Sequence, residues 1–224
     1  MKLAGLVSGG KDSIYSVHLA ENGGYDIPIL ACMYPSRLDS WMFHSINIQI
    51  APLLAEALDK HLASASTSGE KERELEDLKC LVSYLDVDGV VTGAIASNYQ
   101  YARVNKICRE LSLINVSPLW GKDPREVLAA EIDSGMEIIM TAVAAKGLDQ
   151  NWLGKRIDEK SVSELSKLSE RHEFNICGEG GEYETTILDA PWFNKRIEVL
   201  ETETTWDGTS GTYFIKEARL VGKA

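Results

Sequence analysis

The sequence predicts an α/β protein, a parallel sheet wound with helices and followed by a smaller α+β unit. Three observations point to it. Short apolar runs alternate with amphipathic stretches as far as residue 143, the rhythm of repeated βα units. The first run ends in a glycine turn that leads straight into a helix, Ser8-Gly9-Gly10-Lys11-Asp12-Ser13. After residue 145 the rhythm breaks into glycine-rich loops and a long alternating hairpin. The expected units are residues 1–144 and 145–224.

Each element follows from local pattern. Leu3–Val7 is an apolar strand. A helix starts near Lys11 and stops before Asn22-Gly23-Gly24, because glycine closes a helix end without a Cβ penalty. Pro28–Met33 reads as a buried strand. Phe43–Leu58 is apolar at helical spacing, with Pro52 marking a kink or a fresh start. Leu62–Ala65 is a weak strand. Glu70–Leu85 is an amphipathic helix with Leu75, Leu78, Leu81 and Val82 on one face. Strands are expected at Val87–Thr92, Ile114–Val116 and Glu137–Val143, and helices at Tyr99–Leu111 and Pro124–Ser134, the latter opened by its proline. Beyond these, residues 147–152 read as loop, Val162–His172 as helix, 178–185 as a glycine-rich loop and 196–221 as a hairpin turning near Asp207-Gly208. Repeats and low-complexity segments do not occur.

Bulk properties narrow the function. The 224 residues are 44% hydrophobic, ample for a core. No stretch is long and apolar enough to cross a bilayer. The N-terminus runs directly into the first strand, so a removable signal is not expected and the cytoplasm is the expected location. A formal charge of −11 disfavours general nucleic-acid binding, which needs phosphate contacts from Lys and Arg, and favours a small molecule or a basic protein surface. Cys32, Cys80, Cys108 and Cys177 are too scattered for a zinc site or a disulfide framework. Cys32 and Cys108 read as small core residues.

Two constellations bear chemistry. In the first, Gly9 and Gly10 let the backbone approach an anion. The turn amides and the first helical N–H groups converge on one spot. Lys11 brings a mobile positive charge, Ser8 and Ser13 bring hydroxyls, and Asp12 can cap the helix. The spacing is neither that of the common P-loop nor that of a dinucleotide fold. It resembles the PP-loop, Ser-Gly-Gly-x-Asp-Ser, of the N-type ATP pyrophosphatases. That resemblance implies a Rossmann-like (HUP-like) parallel sheet and cleavage of ATP between the α and β phosphates. It also implies that strand one neighbours strand four, which brings Gly93-Ala94-Ile95-Ala96-Ser97 beside Ser8–Ser13.

The second constellation is Gly178-Glu179-Gly180-Gly181-Glu182-Tyr183-Glu184-Thr185. Three carboxylates would repel a phosphate. A metal ion, a cationic group, or a merely solvated turn are each compatible with the residues. This block and the following Leu188-Asp189-Ala190-Pro191-Trp192-Phe193 resemble the C-terminal motif of the diphthine–ammonia ligase (diphthamide synthetase) family. Gly93–Gln100 with Arg103-Val104, Ala145–Leu148 and Leu153-Gly154-Lys155 are similar to that family too. One departure is Asn98, where the family usually carries Asp.

The resemblance implies an AMP-forming amide ligase. Diphthine, a modified histidine on translation elongation factor two, would be adenylated on its carboxylate and then amidated by ammonia. ATP and Mg²⁺ are the implied co-substrate and ion, with metal ligands unassigned. Ser8–Ser13 and Gly93 would hold the nucleotide in 1–144. Lys11 would neutralise the departing pyrophosphate. Glu182 and Glu184 would serve the amidation half. Asn98, Tyr99, Gln100, Arg103 and the whole block Glu179–Thr185 would meet the substrate in 145–224 and across the crevice. A trimethylammonium group suits glutamates flanked by Tyr183 and Trp192, and ammonium suits the same carboxylates. Arg103 could meet a phosphate or a carboxylate. His44 could approach the nucleotide, whereas His18 and His61 read as structural. Two rivals are a PP-loop RNA-modifying enzyme, disfavoured by charge and unpaired cysteines, and a non-catalytic nucleotide sensor, disfavoured by the acidic block. The oligomeric state, self-association included, stays open.

Overall fold

The computed structural model describes residues 1–36 and 46–223. The chain is α/β. Its first sheet is five-stranded and wholly parallel, built from β1 (Lys2–Leu6), β2 (Asp26–Pro35), β3 (His61–Thr67), β4 (Gly89–Val91) and β5 (Ile114–Val116) in the order β3-β2-β1-β4-β5. The order reverses between β1 and β4, and ligands in such sheets bind at the carboxyl ends of the strands at that reversal.

Helices cover both faces. On one face α3 (Arg73–Ser83) and α4 (Asn98–Glu110) bury Leu75, Leu78, Val82, Val104 and Ile107 against Met33 and Val90. On the other, α1 (Lys11–Asn22) presents Ile14, Val17 and Ala20, at helical spacing, to Leu3, Leu30 and Val91. Helix α1 ends at the expected glycines, where the Gly23 N–H donates to Leu19 O at 3.0 Å and Gly24 turns at φ +90°. Helix α2 is only Ala51–Ala57, with Pro52 in its first turn, and a single 3₁₀ turn, Ile48–Ile50, precedes it. Pro52 therefore marks a fresh start. The remainder of the expected helix, residues 43–45, and His44 lie outside the described residues. The weak strand at 62–65 is a full edge strand, His61–Thr67, in register with all of β2 from Ile29 onward.

The second sheet overturns one expectation. Strand β6 (Glu137–Val143), expected as the last parallel strand, lies instead at the heart of the second, antiparallel sheet. It pairs there with β7 (Arg156–Ile157), β8 (Tyr183–Asp189) and β10 (Gly211–Gly222), and β9 (Lys195–Trp206) forms the outer edge on β10. Periodicity shows that Glu137–Val143 is a buried strand but not which sheet claims it. The changeover thus falls between β5 and β6, upstream of residue 144. Strand β8 also takes in the end of the expected loop. Its Thr185-Thr186-Ile187 run is β-branched and fits a pleated surface. Helix α5 (Pro124–Asp133) is capped by Asp123, which accepts from the Arg125 N–H at 2.8 Å. Helix α6 (Glu159–His172) is capped likewise by Asp158 and the Ser161 N–H at 2.8 Å.

The sheets share one core. Leu3 and Leu30 from the first, with Ile14 of α1, belong to the same buried cluster as Met140, Ile187 and Ile197 from the second and Phe193 between β8 and β9. Helix α1 touches β1, β4 and β8, and α2 touches β3, β9 and β10, so both lie between the sheets. No helix among the described residues is long and apolar enough to span a membrane.

Candidate active site

A cleft of about 1140 Å³, its open mouth included, lies at the β1/β4 reversal. The turn after β1 supplies Ser8, Gly10, Asp12 and Ser13, the turn after β4 supplies Thr92, Gly93 and Ala94, and α4 adds Gln100. The far wall is the acidic block, with Glu179, Tyr183, Glu184 and Thr185. Both constellations therefore line one cavity. Ala31, Met33, Leu78 and Val104 form an apolar wall, which sequence reasoning missed because each looks like an ordinary core residue.

The first turn is organised from within. Gly9 takes φ +85°, where a side chain would be strained. The Ser13 hydroxyl donates to Gly10 O at 3.0 Å and accepts from the Ser8 N–H at 3.4 Å. Gly10 occupies the helix cap position without a side-chain cap. The Lys11 N–H instead donates to Thr185 Oγ1 at 3.2 Å, and the Ile187 N–H donates to Gly9 O at 3.1 Å. Strand β8 is thus bonded directly to the turn. Gly93 is demanded by proximity, since a Cβ there would stand 2.7 Å from Ser13 N and 2.8 Å from Asp12 C.

Lys11 departs from expectation. It is fully buried, not a mobile charge on the loop surface. Its Nζ lies 2.6 Å from Asp12 Oδ1, 2.9 Å from Cys177 O and 3.5 Å from Glu131 Oε2. Burial alone would push the ammonium down, but Asp12 and Glu131 outweigh it and hold the group well above its ordinary range. Glu131, equally buried, is pushed well up, first by burial and then by Asp12, against the pull of Lys11. Asp12 therefore spends one oxygen on Lys11 and does not cap α1.

The three glutamates divide. Glu179 accepts from the Ile95 N–H at 2.7 Å and from the Ala96 N–H at 2.8 and 3.1 Å, which clamps the acidic block onto the turn after β4. Glu182, expected to be catalytic, accepts from the Asn175 N–H at 3.0 Å and the Gly180 N–H at 2.7 Å. It braces its own turn and does not line the cleft. Of the three, Glu184 alone lines both this cleft and an adjoining pocket of about 770 Å³ beside Thr205, Asp207 and Ser210. Gly180 and Gly181 are exposed at the tip of the turn, and Gly181 takes φ +86°.

The aromatic flank is also different. Tyr183 is buried and its hydroxyl donates to Ile176 O at 2.5 Å, with burial pushing its phenol strongly up. Trp192 stacks on His18 of α1 with ring centroids 3.7 Å apart, and burial holds that imidazole below its usual range. The Tyr183 ring faces the Lys11 ammonium, 5.9 Å from its centroid, and the Trp192 ring faces His18. Asn98 is exposed at the start of α4, after the Ser97 cap, and does not line the cleft. Arg103 stacks on Tyr99, 3.4 Å from guanidinium carbon to ring centroid, and neither residue lines the cleft. Cys32, Cys108 and Cys177 are buried thiols, pushed up to about 12, 11 and 12 by burial, so none is a thiolate nucleophile. Among the described residues no cluster of three or more His, Cys, Asp or Glu could hold a metal ion.

Known proteins match most of the chain. The family model of the diphthamide synthase N-terminal domain matches residues 1–115, and that of the C-terminal domain matches residues 123–221. The diphthine–ammonia ligase of Danio rerio is 38% identical, covering 91% of this chain and 88% of that protein. The human diphthine–ammonia ligase is 34% identical, with 91% and 84% covered. The Schizosaccharomyces pombe diphthine–ammonia ligase is 35% identical over 96% of this chain, which spans only 39% of that longer protein. Among solved structures, a predicted subunit of tRNA methyltransferase from Methanocaldococcus jannaschii covers 85% of this chain at 13% identity with a TM-score of 0.48, a likeness too low to bear on function.

Proposed function

Since the chain belongs to the diphthamide synthase family, we propose that it amidates diphthine on translation elongation factor two, spending ATP to AMP and pyrophosphate. The observation that carries this is the single cleft lined on one wall by the Ser8–Ser13 turn and on the other by the acidic block. A carboxylate is inert to ammonia until it acquires a leaving group, so activation and amidation need one shared chamber. In this reading the turn amides, Ser8, Ser13 and the start of α1 hold phosphates. The apolar wall of Met33, Leu78 and Val104 receives the base.

Mg²⁺ fits as a phosphate-borne ion. It keeps several waters and needs only one or two protein carboxylates, and Asp12 is the carboxylate that the first turn offers to the cleft. When bound it would offset charge on the phosphates. Glu184 is placed by the proposal at the acceptor end, where its carboxylate attracts ammonium and takes its proton. Glu182 and Glu179 support it by fixing the turn. Lys11, being buried, has no part as a direct phosphate ligand.

The test is incubation of the protein with ATP, ammonium and elongation factor carrying diphthine. The expected products are amidated factor by mass and equal amounts of AMP and pyrophosphate. ADP and phosphate as products, or an unchanged factor, would rule the reading out.

A further inference from the structure

We propose that Lys11 and Glu131 form a buried positioning pair, which sets the Asp12 carboxylate in the cleft and fixes the acidic block over it in one movement. This deepens the reading above and rests on it only for what the cleft does, not for the pair itself.

The geometry joins three elements at one ammonium. Lys11 begins α1, Glu131 lies on α5, and Cys177 O belongs to the segment leading into the acidic block. Both charged side chains are fully buried. Desolvating such a pair generally costs as much as its attraction returns, so stability does not account for it. What the ammonium does is impose positions. It holds one oxygen of Asp12, at 2.6 Å, where that residue lines the cleft. It also holds Cys177 O, two residues before Glu179, whose carboxylate clamps the Ile95 and Ala96 amides. The nucleotide-side carboxylate and the far wall are thereby locked to one group. Lys11 and Glu131 act through Asp12 and the 177–179 segment and touch no substrate themselves. Sequence reasoning saw Lys11 as a phosphate ligand and passed over Glu131, a lone acid on an apolar helix face.

The test uses the full chain and three variants, Lys11→Met, Glu131→Gln, and Lys11→Met combined with Glu131→Met. Lys11→Met alone leaves the Asp12 carboxylate and the buried Glu131 carboxyl without their ammonium partner and should lower the melting temperature by roughly 10 °C. The double variant removes both polar groups and should recover most of that loss. Even so, its Kd for Mg²⁺ with a non-cleavable ATP analogue should rise about fivefold or more by calorimetry, and its requirement for Mg²⁺ should shift upward. A double variant that melts and binds Mg²⁺-analogue like the parent would overturn the proposal. Should it fail to fold, Glu131→Gln decides. It should melt no lower than the parent, yet amide hydrogen exchange across 93–97 and 177–185 should quicken about tenfold, because Lys11 has lost one anchor. Unchanged exchange there would equally overturn it. None of these readouts needs diphthine, so a parent protein that binds Mg²⁺-ATP but never amidates would sink the functional reading and leave this test intact.

Discussion

Replacing Glu179 by Ala discriminates sharply between a clamp and a ligand for a cationic substrate. The carboxylate makes contacts of 2.7, 2.8 and 3.1 Å to two backbone amides. Ile95 is buried and Ala96 exposed, so after truncation water can satisfy the second amide but not the first. Loss of charge-assisted bonds plus one stranded N–H comes to about 2–4 kcal/mol. For a chain of this size that lowers the melting temperature by roughly 5–15 °C. Glu179→Gln keeps one acceptor but turns an NH₂ toward an amide donor, and should lose about half as much. Thermal melts by circular dichroism measure this directly, and calorimetry with ATP should show weaker binding, because the turn after β4 forms part of the cleft. If Glu179 served only to hold a cation, Ala would leave both the melt and ATP affinity unchanged and reduce amide formation alone. That outcome would refute the clamp.

Other predictions concern the same cleft. Gly93→Ala must push a Cβ against Ser13 N, 2.7 Å away, so the start of α1 has to yield; a loss of about 1–3 kcal/mol and a tenfold or greater loss of ATP affinity are expected by denaturant titration and calorimetry, and normal affinity would show that the turn gives way freely. Glu184→Gln should cut amide formation by about two orders of magnitude while ATP affinity holds, with partial rescue by raised ammonium; loss of ATP binding instead would assign Glu184 to the nucleotide. Glu131 is held above its unfolded pKa, so the stability tied to its proton is complete at acid pH and lost as pH rises through the folded pKa. Relative to Glu131→Gln, the parent should therefore weaken as pH rises above the ordinary glutamate range, and parallel melting curves would contradict the assignment.

Much of the architecture was legible because its causes are local. Asn22-Gly23-Gly24 ends α1, Asp123-Pro124 opens α5, and Ser8–Ser13 follows a strand, each within a few residues of the group it acts on. What was not legible depends on partners far along the chain. Lys11 looks like a loop cation until Cys177 and Glu131 arrive around it. Glu179 and Glu182 look like free acids until Ile95, Ala96, Asn175 and Gly180 offer their amides. Strand β6 carries no mark of its sheet, because a run such as Ile138-Ile139-Met140 suits either environment. Buried charge is the least legible feature, since composition treats a charge as solvated until a fold shows otherwise.

The bond from the Lys11 amide to Thr185, together with the embedding of Lys11 itself, has a consequence for synthesis. As the chain leaves the ribosome, its opening sheet is complete by β5, yet the anion turn still lacks the acceptor that steadies its first helical amide and the groups that surround its lysine. Glu131 follows β5 by about fifteen residues, but Cys177 and Thr185 come about sixty to seventy residues later, as β8 is laid down. A growing chain should therefore bind nucleotide only after most of it has been made, and an arrested fragment ending near residue 120 should carry an exposed ammonium where the finished protein has a core.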